Sequence, residues 1–149
     1  MLIRPALPGD GPAIASLIVA AAPHFEVKGY PDGYWPDGIV VLVAVDEDVV
    51  VGWIEGVMDG AYMGPGTPTP PPHGYVLALI VDAAWRRRGI GTALLEEFVA
   101  MARDAGSRWV FLLPEEGEYV EGRVAFFDAA GFTPVDHPGK TWPAMGRWT

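Results

Sequence analysis

The sequence predicts a single α/β domain over residues 1–149, built on a mixed, mostly antiparallel sheet flanked by helices. Three observations predict it. Two β-branched runs, residues 40–45 and 49–58, are separated only by Asp46-Glu47-Asp48, which is the pattern of a hairpin. An almost wholly apolar run from Tyr75 to Val81 is followed by a helical pattern and then by another apolar run, a strand-helix-strand unit inside an otherwise antiparallel chain. A length of 149 residues is enough to bury one core and too short for separate cofactor and substrate domains.

Taken in order, Leu2 to Ala6 is a short strand. Asp10 can cap a helix from Pro12 to Ala22, with proline near its first position and Ile14, Leu17 and Ile18 on one face. The hairpin follows. Tyr75 to Val81 lacks polar alternation, so it is expected to be central and covered on both faces. A helix is predicted from Ile90 to Ala105, with Ile90, Leu94, Phe98, Met101 and Ala105 inward and Gly106 as its stop. Arg108 to Leu113 reads as the next strand. Val120, Val124 and Phe127 recur at helical spacing up to Gly131, and the Trp- and Pro-rich tail from Phe132 to Thr149 supplies one or two final strands. Two segments rich in Pro and Gly, Pro23 to Gly38 and Asp59 to Gly74, read as long loops that either wall a binding cleft or serve as solvated connectors.

Composition narrows the function. The chain has no cysteine, which removes disulfides, thiolate metal sites and a cysteine nucleophile. Its formal charge of −9 argues against nucleic acid or an anionic membrane surface as a partner and favours a cationic or amine ligand. No run approaches the ~20 apolar residues that cross a bilayer, and Met1-Leu2-Ile3-Arg4-Pro5 lacks the layout of a signal peptide, so a cytoplasmic location is expected. His24 and His137 have no carboxylate or second His at ligand spacing, and no metal site is assigned.

Arg86, Arg87 and Arg88 are three of only ten basic residues, and they stand together between an apolar strand and the first turn of a helix. A helix N-terminus disfavours cations and welcomes anions, so three arginines there become sensible when an anionic ligand sits among them. Gly89 and Gly91 let the backbone approach such a ligand, and Thr92 adds a hydroxyl beside the exposed amides. A Walker loop would need Gly-Lys followed by Ser or Thr, and a dinucleotide fingerprint would need a third glycine where Leu94 stands. Neither is met.

The run Leu79-Ile80-Val81-Asp82-Ala83-Ala84-Trp85-Arg86-Arg87-Arg88-Gly89-Ile90-Gly91-Thr92-Ala93-Leu94-Leu95 strongly resembles the acyl-CoA motif of the GNAT N-acetyltransferase superfamily: Arg or Gln, two residues, Gly, any residue, then Gly or Ala. Ile3-Arg4-Pro5-Ala6 with Asp10-Gly11-Pro12-Ala13-Ile14 is similar to the family's opening strand and helix, and Phe126-Phe127-Asp128-Ala129-Ala130-Gly131-Phe132 to its last helix. The resemblance implies a GNAT-like fold, a twisted sheet of about six to seven strands flanked by about four helices, with a splayed central strand at the acyl-CoA site. It implies that the amides from Arg87 to Thr92 hold the pyrophosphate of acetyl-CoA or a related acyl-CoA, with Arg86 and Ile90 in the same turn. It also implies that Leu79 and Val81, flanking Ile80, pair through their backbone with the pantetheine arm. The activity implied is direct acylation of a primary amine on a small molecule or peptide, without an acyl-enzyme. The other reading is an acyl-CoA-binding sensor or degenerate domain with little turnover.

The sensor reading has a basis in the residues. Where many family members carry an Asn at the start of the last helix and a Tyr beside the leaving thiolate, this chain has Val120 and Phe127, and Phe127 cannot donate a proton. Tyr119 is either a displaced donor or a solvent-facing residue at a helix start. Glu55, alone in charge within residues 49–58 and on the face of Trp53 and Val57, is either the general base or the polar end of an exposed strand. His73 either acts as base, directly or through water, or closes a loop. Tyr30, Tyr34 and Trp35 form either an acceptor wall or packing under a loop, while Trp142, Met145 and Trp148 read as core or as homodimer contacts. Glu115, Glu116, Glu118 and Glu121 complement the last helix's N-terminus.

Overall fold

The computed structural model describes every residue from Met1 to Thr149. Seven strands form one sheet in the order β1-β2-β3-β4-β5-β7-β6, accompanied by three α-helices and three short 3-10 turns. The chain divides into two compact units, Met1–Gly56 with Ala78–Phe98, and Val57–Leu77 with Val99–Thr149. No helix is long and apolar enough to cross a membrane.

In the first unit β1 (Leu2–Pro5) pairs antiparallel with β2 (Val40–Asp46), and β2 pairs antiparallel with β3 (Val49–Gly60), placing Val43 opposite Trp53 and Val41 opposite Glu55. Glu47 and Asp48 both take positive φ, +46° and +65°, so the predicted hairpin closes through a two-residue turn whose twist matches that of the strands. Helix α1 (Gly11–Ala21) buries Ile14, Leu17 and Ile18 in one cluster with Val41, Val43, Trp53 and Ile80. Truncating Ile18, which is 1% exposed, to alanine removes packing worth about 2–5 kcal/mol. Gly52 faces the next helix: a Cβ there would stand 3.0 Å from Ile90 Cγ2 and 3.1 Å from Leu94 Cδ1, tight contacts that would make the start of α2 (Ile90–Asp104) give by a few tenths of an ångström.

Asp10 stands at the N-cap of α1 as expected but does not spend its carboxylate on the helix. Its oxygens accept from Arg4 at 2.7 and 3.0 Å and from the Leu7 N–H at 2.7 Å. The Arg4 hydrogen bond is the main reason its carboxyl is held below the usual carboxylate range.

The second unit centres on β5 (Trp109–Leu112), which pairs in parallel with the start of β4 (His73–Val81) and antiparallel with β7 (Met145–Trp148). The two-residue β6 (Thr133–Pro134) pairs with β7. Tyr75 stacks on Phe111 at 4.4 Å and 10°, and Trp109 stacks on Phe111 at 5.7 Å. Helix α3 (Val120–Ala129) contains no fully buried residue, and Phe127 meets Phe126 and Phe132 edge-on.

Several sequence expectations are corrected. Strand β4 begins at His73, and Leu77 within it is 41% exposed, so an apolar run here does not mean cover on both faces. In α2 the buried stripe is Ile90, Leu94, Leu95, Phe98, Val99 and Ala102, whereas Met101 is half-buried and Ala105 is exposed beyond the helix end. Ile90, Leu94, Phe98 and Ala102 keep a four-residue step along the buried face, Leu95 and Val99 widen that face to one side and leave Met101 toward the other, and Ala105 follows the last helical residue, Asp104. In the tail Met145 is core at 1% exposure, while Trp148 is half exposed.

Candidate functional site

The end of β4 and the start of α2 are joined by a turn with little freedom. Asp82 accepts from the Ala84 N–H at 2.9 Å, capping a 3-10 turn over Ala83–Trp85, and its own N–H donates to the Val51 carbonyl at 2.9 Å. Arg86, Arg87, Arg88 and Gly89 are exposed; Arg87 sits at φ +64° and Gly89 at φ +78°. A Cβ on Gly89 would meet nothing within 4 Å, so its backbone angle rather than space calls for glycine. The Gly89 carbonyl accepts from the Ala93 N–H at 3.0 Å, closing the first turn of the helix. The amides of Ile90, Gly91 and Thr92 precede the first intrahelical bond, at the positive end of the helix dipole. Arg88 lies over the Trp85 ring at 4.6 Å, which holds one guanidinium beside the turn. Trp85 was not singled out from the sequence, although an aromatic next to three cations was the signal available.

The hydrogen bond from Asp82 to Val51 also sets parity. β3 and β4 are neighbours in the sheet, and regular antiparallel pairing continued from the Asp82–Val51 bond would set Trp53 opposite Ile80 and Glu55 opposite Ala78. Consistent with this, Trp53, Ile80 and Ala78 belong to one packed cluster. Ala78 and Ile80 therefore turn their backbone groups toward β3, and Leu79 and Val81 turn theirs to the opposite edge of the strand. Pairing between β4 and β5 runs from Gly74 to Val76, where β5 ends at Leu112.

Glu55 is 7% exposed, and its surroundings are specific. The Tyr30 hydroxyl donates to Glu55 Oε1 at 2.6 Å and accepts from Trp53 Nε1 at 3.3 Å, while Lys28 Nζ stands 3.9 Å from Oε2. Burial first, and the carboxylate second, push the Tyr30 hydroxyl far above the ordinary tyrosine range, so it remains a neutral donor. Tyr30 is 3% exposed and belongs to the core around α1, with Trp35 half-buried against the same cluster and Tyr34 65% exposed. Of the three aromatics expected in an acceptor wall, one thus holds Glu55, one packs beneath the loop and one faces solvent. Lys28 was missed; its signal was that it is the one Lys or Arg between Pro23 and Gly38.

His73 is fully buried, and both ring nitrogens face backbone. Nδ1 accepts from the Tyr62 N–H at 3.1 Å, and Nε2 lies 2.8 Å from the Thr69 carbonyl, so the proton is on Nε2. With Trp109 and Phe111 edge-on to the ring, His73 is committed to holding the second Pro/Gly loop and keeps no lone pair for an incoming amine. Tyr119 is 75% exposed at φ +67° at the head of α3, and Val120 and Phe127 are half-buried along that helix.

The family model described as the acetyltransferase (GNAT) family matches residues 14–132. Mycothiol acetyltransferase of Nocardiopsis dassonvillei is 32% identical over 106 residues; the aligned part is 70% of this chain and 30% of that protein, so this chain spans about a third of that relative's length. Among solved structures, an aminoglycoside 6'-N-acetyltransferase complexed with coenzyme A superposes with a TM-score of 0.73 at 17% identity, covering 99% of this chain and 97% of the other. A ribosomal-protein-alanine N-acetyltransferase from Brucella melitensis superposes with a TM-score of 0.71 at 22% identity, covering 100% of both chains. At these identities the superpositions establish the fold, and the family match over most of the sequence establishes kinship: the chain belongs to the GNAT family of acetyltransferases.

Proposed function

We propose that residues 1–149 act as one acyl-CoA-dependent N-acetyltransferase domain, which passes the acetyl or acyl group of a CoA thioester directly to a primary amine of a small molecule or peptide. The observation that carries this reading is the pairing, in one compact unit, of an outward-turned backbone edge at Leu79 and Val81 with an amide-rich helix start at Arg87–Thr92, in a chain of this family. The residues fit acetyl-CoA. An amide-bearing pantetheine arm can bond a strand edge as a peptide does, and a pyrophosphate suits free amides at a helix N-terminus flanked by Arg86, Arg87 and Arg88. Ile80, whose side chain is buried, keeps that edge in place from the core.

The thioester supplies the activated acyl group; the chain supplies position and a base. With β3 and β4 continued in regular register, Glu55 stands opposite Ala78, next to the edge residue Leu79, and is the candidate to take a proton from the acceptor ammonium, with Tyr30 fixing the carboxylate through Oε1. His73, closed by two backbone groups, is assigned to the fold instead. For the thiolate, Tyr119 is exposed and Phe127 has no proton to give, so water is assigned that step.

Calorimetric titration with acetyl-CoA, CoA, ATP and NAD tests the donor. Selective binding of acetyl-CoA is expected, and its loss on replacing Gly91 by tryptophan; no binding, or a preference for ATP or NAD, overturns the reading. A sensor with little turnover is the second reading, favoured by Val120 and Phe127. It predicts acetyl-CoA binding with no thiol release across a panel of amines, a measurement free of protein background because the chain has no cysteine.

A further inference from the structure

The geometry points to Lys28 as an acetylation site of the chain itself, modified by its own acyl-transfer centre; the inference rests on the acyl-transfer reading above. Lys28 lies in the first Pro/Gly loop at φ +50°, a left-handed backbone that a lysine takes only against steric cost. Two residues on, Tyr30 is anchored in the core, and the turn that carries Lys28 is closed by the Tyr30 N–H on the Val27 carbonyl at 3.1 Å. The Lys28 side chain therefore starts from a fixed point. It is 65% exposed and ends 3.9 Å from Glu55 Oε2, the oxygen that Tyr30 leaves open.

At 3.9 Å and with the ammonium end in solvent, the ion pair contributes little to stability, so it does not account for the strained backbone that delivers it. The ligand chemistry does. The acceptor of the proposed reaction is a primary amine that must give a proton to Glu55, and Lys28 brings a primary amine to that oxygen. In the same register of β3 and β4, Glu55 is opposite Ala78, next to the strand edge assigned to the thioester arm, and attachment to the chain makes the encounter unimolecular.

The step balances. Nζ passes one proton to Glu55 Oε2 and attacks the thioester carbonyl; the N–C bond forms, the C–S bond breaks, and Nζ loses a second proton as the amide forms. The departing thiolate takes up a proton to become the free thiol of CoA, and Glu55 returns its proton to water. Acetylation removes the cation facing Glu55.

The test incubates the purified chain with acetyl-CoA and follows the acetyl mass gain at each amine by peptide mass spectrometry, with acetyl-CoA binding measured on the same sample. The chain has one other lysine, Lys140, which is exposed and reports uncatalysed acetylation. Lys28 is expected to react at least about ten-fold faster than Lys140, at a rate independent of protein concentration, and to lose that excess in Glu55→Gln. The comparison of the two lysines needs no variant, so it stands even if E55Q folds poorly. Binding of acetyl-CoA with equal rates at the two lysines, a Lys28 rate that rises with protein concentration, or a well-folded E55Q that keeps the excess overturns this inference alone. Absence of acetyl-CoA binding overturns the acyl-transfer reading and this inference with it.

Discussion

Glu55 and His73 are both buried polar side chains on strands, and each lies among aromatic residues. Their hydrogen bonds separate them. His73 is closed: one nitrogen takes a backbone N–H, the other gives to a backbone carbonyl, and the loop from Tyr62 to Thr69 is pinned as a result. Glu55 is half open, with Oε1 held by a neutral tyrosine and Oε2 facing an exposed ammonium at 3.9 Å. Burial raises the stakes of a titratable group, but the lone pair left without a fixed partner marks the one that can do chemistry.

Mutation separates the two. Glu55→Gln keeps the shape and removes the base, and it is expected to lower kcat/KM for an amine substrate about 100-fold or more while changing the urea midpoint little. An unchanged kcat/KM would return Glu55 to a structural role. His73→Leu should do the reverse: with a buried N–H and a buried carbonyl left unpaired, stability falls by about 3 kcal/mol in urea unfolding, while kcat of the folded protein stays within about two-fold. A collapse of kcat at full stability would reopen His73 as a base.

Tyr30→Phe sharpens the comparison from the partner's side. Losing a donor to a buried carboxylate is expected to cost about 2 kcal/mol near neutral pH. Because the Tyr30 hydroxyl is raised, the folded chain keeps its proton where the unfolded chain releases it. Its contribution is therefore full below about pH 10 and declines as pH rises further. Chemical unfolding followed across that range should show a shallower alkaline decline in Y30F, with some decline remaining because burial raises Tyr75 as well. Identical slopes would mean that Tyr30 is not the neutral donor.

The smallest effect belongs to Asp10, a carboxylate engaged only in the fold. Its lowered pKa means that the Arg4 pair contributes fully above about pH 4 and is lost as pH falls through the folded value; Asp10→Asn should cost about 1 kcal/mol or less at neutral pH, and the difference should shrink on acidification. Thermal unfolding of both chains across that interval checks it.

Much of this was legible in the residues. The hairpin, the apolar β4, α2 and the arginine-glycine turn rest on local signals: β-branched runs, helical spacing, a glycine where φ is positive and cations where an anion must sit. Those signals act over one or two turns of chain, so they are written in neighbouring residues. The catalytic candidates Glu55 and His73, and Tyr30 of the expected acceptor wall, were legible only as residue types. Glu55, His73 and Tyr30 were visible as a carboxylate, an imidazole and a phenol, with a functional and an ordinary reading open for each.

Only the tertiary structure chose between those readings, because the deciding partners come from elsewhere in the chain. The bond that orients Glu55 comes from a residue 25 positions away, and the one that closes Nδ1 of His73 from a residue 11 positions away. The parity that turns Leu79 and Val81 outward depends on a hydrogen bond between Asp82 and Val51. The sequence by itself determined the elements and the anion-seating turn, since backbone geometry and cap chemistry act locally. Which buried group kept an open lone pair was decided by long-range hydrogen bonding, which no local pattern of residues encodes.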